Sequence, residues 1–416
     1  MTARTRIVVL LAASVVVVSG CAFWRLHQDV VRLEAVAFIG GHVARVDDDG
    51  APIVVAVSRT NPETVVDTFL LEHPGPYFFV VPPGTYRIAA FADLNRDAVY
   101  QPDTEPAAYH GPPAETRVAP GAKLTGVDVT IGRAGVRLDV PVAVTHPEQR
   151  GTAELPAIQL GEVVTLDDPR FSAANGKLGL WQPLEFLFQV GGGFYFLQPF
   201  DATKIPVLFV HGAGGEPGYF RFLIEHLDRT KFQPWLLYYP SGLGLDMTAR
   251  GAARWMTTLA ARYPFRRIVI VAHSMGGPVA RATINHMIER GDGGTIAAFV
   301  SISSPWNGHA GASYGADAPV VMPMWPDMVP GSPFLRSLFA TPLPSRCPYY
   351  LLFSYRGRSL KADDANDGVV AVSSELALQA QLAATKVLGF PETHMSILES
   401  SDISRTVNGI LEAVER

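Results

Sequence analysis

The sequence predicts a doubly wound α/β sheet with a cap insertion over residues 151–416, preceded by a small β-sandwich-like module over residues 35–150. Three observations carry this. Five predominantly apolar runs recur between residues 206 and 353 with helical segments among them. Runs without polar alternation suit strands buried on both faces of a parallel sheet. One of those runs passes directly into a helix across a serine flanked by tiny residues. The first third of the chain instead carries short β-branched and aromatic runs bounded by Gly, Pro, Asn or Asp, the pattern of a sandwich. The chain has 416 residues, 48% of them hydrophobic and 18% charged, which supplies a large core and excludes a disordered protein. A net charge of -5 is the wrong sign for a nucleic-acid binder. Two cysteines exclude a disulfide framework and any Cys-built zinc or iron–sulfur site.

In chain order, Arg4 and Arg6 precede an apolar run from Ile7 to Val18 that is too short for a stable membrane span. Basic residues, a short apolar stretch and then small residues form the layout of a secretory signal peptide, assigned to residues 1–20. Val18-Ser19-Gly20-Cys21 resembles the lipobox of bacterial lipoproteins, which implies cleavage before Cys21 and its acylation, palmitate-like chains included. Several acyl chains on one residue would anchor the protein to a membrane. By resemblance to the sorting rule of Gram-negative lipoproteins, Ala22 in place of Asp implies the outer membrane, facing the periplasm. Residues 21–34 read as a linker, and Cys347 as a buried apolar residue.

Ile53–Val57, Tyr77–Val81, Thr85–Ala92 and Gly126–Ile131 read as strands of the small module. Pro83-Gly84-Thr85-Tyr86 resembles the strand-turn of carboxypeptidase-regulatory-like and transthyretin-like sandwich modules. Asp93, Asn95 and Asp97 alternate like the start of a calcium loop. Ala98 stands where Gly is needed and Glu105 comes one place late, so an Asx-turn cluster is the preferred reading and no metal is assigned.

In the large module, Gly161–Leu166 and Phe194–Leu197 read as strands, followed by the five apolar runs Pro206–Val210, Trp235–Tyr239, Ile268–Ala272, Phe299–Ser303 and Tyr349–Phe353. Met247–Tyr263, Pro278–Arg290 and Ile403–Val414 read as helices. Residues 309–345 interrupt this rhythm as a Pro- and Met-rich insertion, read either as a cap lining an apolar channel or as ordinary packing.

The chemistry centres on Ala272-His273-Ser274-Met275-Gly276, a strand-to-helix bend that holds Ser274 out as a nucleophile elbow. Ala272 departs from the usual Gly but still fits by size. Phe209-Val210-His211-Gly212-Ala213-Gly214-Gly215 closes a buried strand. Asn366-Asp367-Gly368-Val369-Val370 follows a late strand, and Phe390-Pro391-Glu392-Thr393-His394 precedes the final helix. These residues, in this order, resemble the α/β-hydrolases of the lipase and esterase type, including bacterial lipases and GPI inositol-deacylase-like hydrolases, over about residues 200–416. The resemblance implies an α/β-hydrolase sheet with Ser274 as nucleophile, Asp367 as acid and His394 as base. It further implies oxyanion donors in the backbone N–H groups of Ala213 and Met275. Asp364 and then Asp363 are the alternatives for the acid. His211 and His273 read as structural.

The implied activity is hydrolysis of carboxylic esters, lipid-like or acyl, without a cofactor. An acyltransferase would use the same triad with an alcohol in place of water. A non-catalytic envelope lipoprotein on a hydrolase scaffold is the reading from another class. The expected partners are an ester or lipid substrate and, through Cys21, a membrane. Nucleic acid is excluded, and the sequence names no protein partner.

Overall fold

A computed structural model describes residues 23–61, 63–111, 115–133, 135–143, 156–357 and 365–415. The signal peptide, Cys21, the 150/151 boundary, Asp363 and Asp364 lie outside the described residues.

Residues 21–34, expected to be a linker, are mostly helical: residues 23–35 form α1. The charged residues of this segment mask an apolar face, on which Val30 is buried in the core of the large module with Leu26 against it. The Asp29 carboxylate accepts the N–H groups of Leu184 and Glu185, each at 3.0 Å, and so caps a helix more than 150 positions away.

The small module is a two-sheet sandwich built from β1 (Ala37–Arg45), β2 (Ile53–Thr60), β3 (Glu63–Leu71), β4 (Gly75–Val81), β5 (Gly84–Ala92), β6 (Ala107–Tyr109), β7 (Glu115–Val118), β8 (Lys123–Leu124) and β9 (Val129–Ile131). One sheet has the order β4-β1-β8 with β9 also on β1; the other has β3-β2-β5-β6 with β7 on β5. Alternate residues Ile53, Val55 and Val57 on β2 and Tyr86, Ile88 and Ala90 on β5 meet Tyr77, Phe79 and Val81 of β4 between the sheets. Val54, Ala56 and Phe91 point the other way, under Tyr100, Leu138 and Val142. In the loop after β5, Asn95 Oδ1 accepts the Asp97 N–H and Asp97 Oδ1 the Val99 N–H, the expected Asx turns, and the Asp93 carboxylate accepts the N–H groups of Asp97 and Ala98. Glu105 accepts those of Leu94 and Gln101.

The large module runs through β10 (Ile158–Val163), α2 (Ala173–Trp181), α3 (Pro183–Gln189), β11 (Gly192–Phe196), β12 (Ile205–Val210), α4 (Arg221–Glu225), β13 (Phe232–Tyr238), α5 (Leu245–Arg262), β14 (Ile268–His273), α6 (Gly276–Glu289) and β15 (Ile296–Ile302). It continues with α7 (Ala312–Ala316), α8 (Met324–Met328), α9 (Pro333–Ser337), β16 (Tyr349–Ser354), α10 (Val372–Glu375), α11 (Leu378–Ala383), β17 (Lys386–Phe390) and α12 (Ser401–Glu415). The eight-stranded sheet has the order β10-β11-β13-β12-β14-β15-β16-β17. Its strands are parallel except that β10 and β11 run against the rest, with β11 antiparallel to β13. The link over residues 197–204 is too short for the crossover that a parallel entry into β12 would need.

Both faces of the sheet are buried, as the uninterrupted apolar runs predict. Leu208, Val210, Ile270, Ala272 and Phe299 face α5, α6 and the insertion. Val207, Phe209, Val269, Val271 and Val300 face α4 and α12, whose Ile403, Val407, Ile410 and Leu411 form one helical stripe. Cys347 is buried, as expected.

The insertion forms the three short helices α7, α8 and α9. Its Met322, Met324 and Met328 are no more than 3% exposed and join the main core with Trp306, so they pack rather than line an open channel. Asp327 fastens the insertion to the start of α5 by accepting the Leu245 N–H at 2.7 Å.

The two modules meet over α5. Arg254 donates to Asp67 Oδ1 and to the Thr68 carbonyl, each at 2.6 Å, with both charged side chains only 5% exposed. Its guanidinium also lies 5.0 Å from the Phe69 ring centre and 4.2 Å from that of Trp255. All the sequence-predicted catalytic residues lie beyond residue 200, which by sequence alone favours a separable catalytic unit. This interface argues for the opposite outcome, because leaving one partner of a buried ion pair alone costs about 3–5 kcal/mol. A chain starting at residue 156 should give little soluble protein, and Asp67→Ala in the full chain should lower the thermal midpoint by several degrees. A truncated chain with the full-length midpoint and activity would refute this.

Candidate active site

Ser274 sits where β14 ends and α6 begins, with φ +56°. That left-handed conformation costs a non-glycine residue about 1–3 kcal/mol and persists only when the surroundings enforce it. Here they do. A Cβ on Gly276 would stand 2.3 Å from the Val210 carbonyl oxygen, so the helix must leave the strand at a residue without a side chain. Ala272, fully buried two residues before Ser274, fills the tight side of the bend without Gly. The Ser274 N–H donates to the Ile302 carbonyl at 2.9 Å, tying the bend to the next strand.

The loop after β12 closes over the same point. A Cβ on Gly212 would lie 2.7 Å from Ser274 Cβ and 3.2 Å from the Met275 nitrogen, so only Gly allows this approach. His211 is buried, with Nδ1 donating to the Gly212 carbonyl at 2.9 Å and Nε2 accepting the Tyr239 N–H at 3.3 Å. Its ring stacks on Tyr239 at 4.4 Å, and burial lowers its pKa to about 4. It is a neutral brace for the loop, as the sequence reading has it. The Ser241 hydroxyl accepts the Gly214 N–H at 2.8 Å and fixes the next turn. The N–H groups of Ala213 and Met275 have no acceptor among the described residues.

Asp367 follows β16 on a turn in which Gly368 takes φ +101°. Its side chain is fully buried. Oδ1 accepts the N–H groups of Val369 and Val370 at 2.9 and 2.7 Å; Oδ2 accepts Ser354 Oγ–H at 2.9 Å and His394 Nδ1–H at 2.6 Å. Burial pushes this carboxyl up, but the hydrogen bond and charge of His394 and the two N–H groups outweigh it and hold it below the usual carboxylate range. His394, just after β17, donates its backbone N–H to the Asp367 carbonyl at 2.9 Å, so the two residues are joined by side chain and main chain.

The sequence reading has His273 point away from the chemistry as a structural residue. It is buried, but it is not remote. Its Nε2 donates to the His394 carbonyl at 2.8 Å, and the two rings are centred 4.6 Å apart. Burial, then the neighbouring His394, lower its pKa to about 3, so it is a neutral strut that brings the base to the elbow.

Ser303, Ser354 and Glu375 escape the sequence reading. Ser303, at the end of β15 with φ +49°, lies 2.6 Å by Oγ from Ser354 Oγ. The one available signal is Ser354 itself, a polar residue closing an apolar strand just before the acid.

This arrangement is that of the α/β-hydrolase fold, and residues 207–398 match the alpha/beta hydrolase family. The sequence matches no curated protein. Among solved structures it is similar to the Bacillus licheniformis lipase BlEst2 in mature form, at 14% identity over 53% of this chain and 97% of that one, with a TM-score of 0.41. It is also similar to the metagenomic carboxyl esterase MGS0156, at 18% identity over 52% and 77% of the two chains, TM-score 0.37. A third likeness is to phospholipase PlaB from Legionella pneumophila, at 17% identity over 41% and 44%, TM-score 0.34.

Proposed function

We propose that this protein is a serine hydrolase that cleaves carboxylic esters, lipid-like or acyl, through an acyl-enzyme. The observation that supports the reading is the hydrogen-bonded pair of His394 and buried Asp367, with the His394 carbonyl held by His273, the residue next to Ser274. Ser274 attacks the ester carbonyl while His394 takes its proton. Asp367 holds Nδ1 protonated and stabilises the imidazolium that forms. The charge developing on the carbonyl oxygen falls to the two unpaired N–H groups of Ala213 and Met275. His394 then returns its proton to the leaving alcohol, and water repeats the sequence on the acyl-enzyme. A panel of acyl esters of rising chain length, assayed with the full-length protein alongside a fluorophosphonate probe, tests this. Turnover of at least one ester and labelling at Ser274 are expected; labelling elsewhere with turnover retained would overturn it.

We infer further that Cys21 carries acyl chains and tethers the enzyme to a membrane, facing the periplasm. Phe23 and Trp24, in the first turn of α1, are 51% and 62% exposed, which supports a membrane interface beside the anchor. Cys21→Ser should move the protein from the membrane to the soluble fraction with esterase activity intact. Wild-type protein that fractionates as soluble in a Gram-negative host would refute the anchor.

A further inference from the structure

Behind Asp367 stands a second acid. Glu375, the last residue of α10, is fully buried. Its Oε2 accepts the Ser354 N–H at 3.1 Å, and its Oε1 is buried with no donor directed at it. Ser354 bridges the two acids, its N–H reaching Glu375 and its Oγ–H reaching Asp367, so the two buried carboxyls stand side by side. Two neighbouring carboxyls that are both fully buried oppose each other's ionisation, so one of them keeps its proton.

The donors decide which one is charged. Asp367 receives two backbone N–H groups, a serine hydroxyl and the histidine. Glu375 receives the Ser354 N–H, with Ser303 alongside. A buried carboxylate oxygen without a donor is costly, whereas the same oxygen carrying a proton becomes a donor aimed at an acceptor.

We propose that Glu375 is a positioning residue held as the neutral acid, donating its Oε1 proton to the Asp367 carboxylate and so fixing that charge against His394. No proton leaves the pair during turnover. The hydrogen bond holds the Asp367 plane in place beside the four donors that already reach it. Burial first, and then the Asp367 charge, raise the Glu375 pKa to about 9, consistent with a proton retained at neutral pH. The other titratable groups at this cluster are His394, on the far side of Asp367, and buried His273 beside His394, which burial keeps neutral. This inference rests on the assignment of Asp367 as the acid of the serine hydrolase.

The test compares Glu375→Leu and Glu375→Gln in the full chain. Glu375→Leu removes the donor and should lower kcat by about 10- to 100-fold, the usual cost of losing the partner behind a working group. Glu375→Gln supplies a neutral donor of the same length and should restore most of that loss. A group whose pKa rises on folding favours the folded state fully below its unfolded value and loses that contribution as pH rises through the folded value. For Glu375 this window runs from the ordinary carboxyl range near 4.5 to about 9. The thermal midpoint of Glu375→Gln should therefore climb relative to wild type by several degrees between pH 5 and 9. Wild-type kcat should also fall on an alkaline limb near pH 9 that the Gln variant lacks.

A midpoint difference flat across that range, or Glu375→Gln as impaired as Glu375→Leu, would overturn the proposal. So would wild-type kcat and pH profile in Glu375→Leu. The midpoint comparison needs no turnover, so it still decides if Glu375→Leu fails to fold. Activity surviving Ser274→Ala would instead sink the hydrolase assignment and leave the proton on Glu375 to be read from the midpoints alone.

Discussion

Ser274→Ala is expected to lower ester hydrolysis by about 10³-fold or more, with the thermal midpoint unchanged. The residue is half-buried at the bend and its φ of +56° is imposed by the close approach of α6 to β12, not by its hydroxyl. Alanine inherits the same strain and loses only the nucleophile. His394→Ala should cost a similar factor, because the proposed mechanism passes the Ser274 proton through it. Combining the two should cost little more, since the groups act as one unit. Steady-state turnover of the preferred ester gives the readout. Wild-type turnover in Ser274→Ala would remove the nucleophile assignment.

Asp367→Asn should lower kcat by about 10³- to 10⁴-fold while leaving a folded protein. The amide oxygen can still accept the Val369 and Val370 N–H groups, so the turn survives. Its NH₂ must then face both His394 Nδ1 and the Ser354 hydroxyl, where Oδ2 accepted two donors. Nδ1 becomes the acceptor and the imidazole proton moves to Nε2, the nitrogen that has to receive the Ser274 proton. The lost charge also leaves the imidazolium unsupported. The signature is therefore a fall in kcat with the thermal midpoint nearly held. Full activity in this variant would move the acid to Asp364 or Asp363.

The sequence by itself determined the sheet, because burial on both faces writes long apolar runs into β12 to β16. It determined the elbow as well: small residues around Ser274 are demanded locally, by the crowding of one strand against one helix. Asp367 and His394 were legible because each sits in a turn just after a late strand, with Gly368 marking the first. What the sequence did not show lies in contacts between distant segments. The helical character of residues 23–35 is hidden by their charges and becomes clear only when Val30 enters a core built mostly of residues beyond 156. The joining of the two modules depends on Asp67 finding Arg254. Whether the methionines of the insertion line a channel or pack depended on what they met, and they met Trp306 and α5. His273 has no role legible from its place beside Ser274, yet it holds the loop that carries His394. Glu375 is an unremarked acid in a four-residue helix until the fold sets it beside Asp367 with Ser354 bonded to both. Hydrophobic periodicity and turn chemistry are local and can be read along the chain. Proton placement and buried charge pairing depend on which groups share a dry space, and only the tertiary structure decides that.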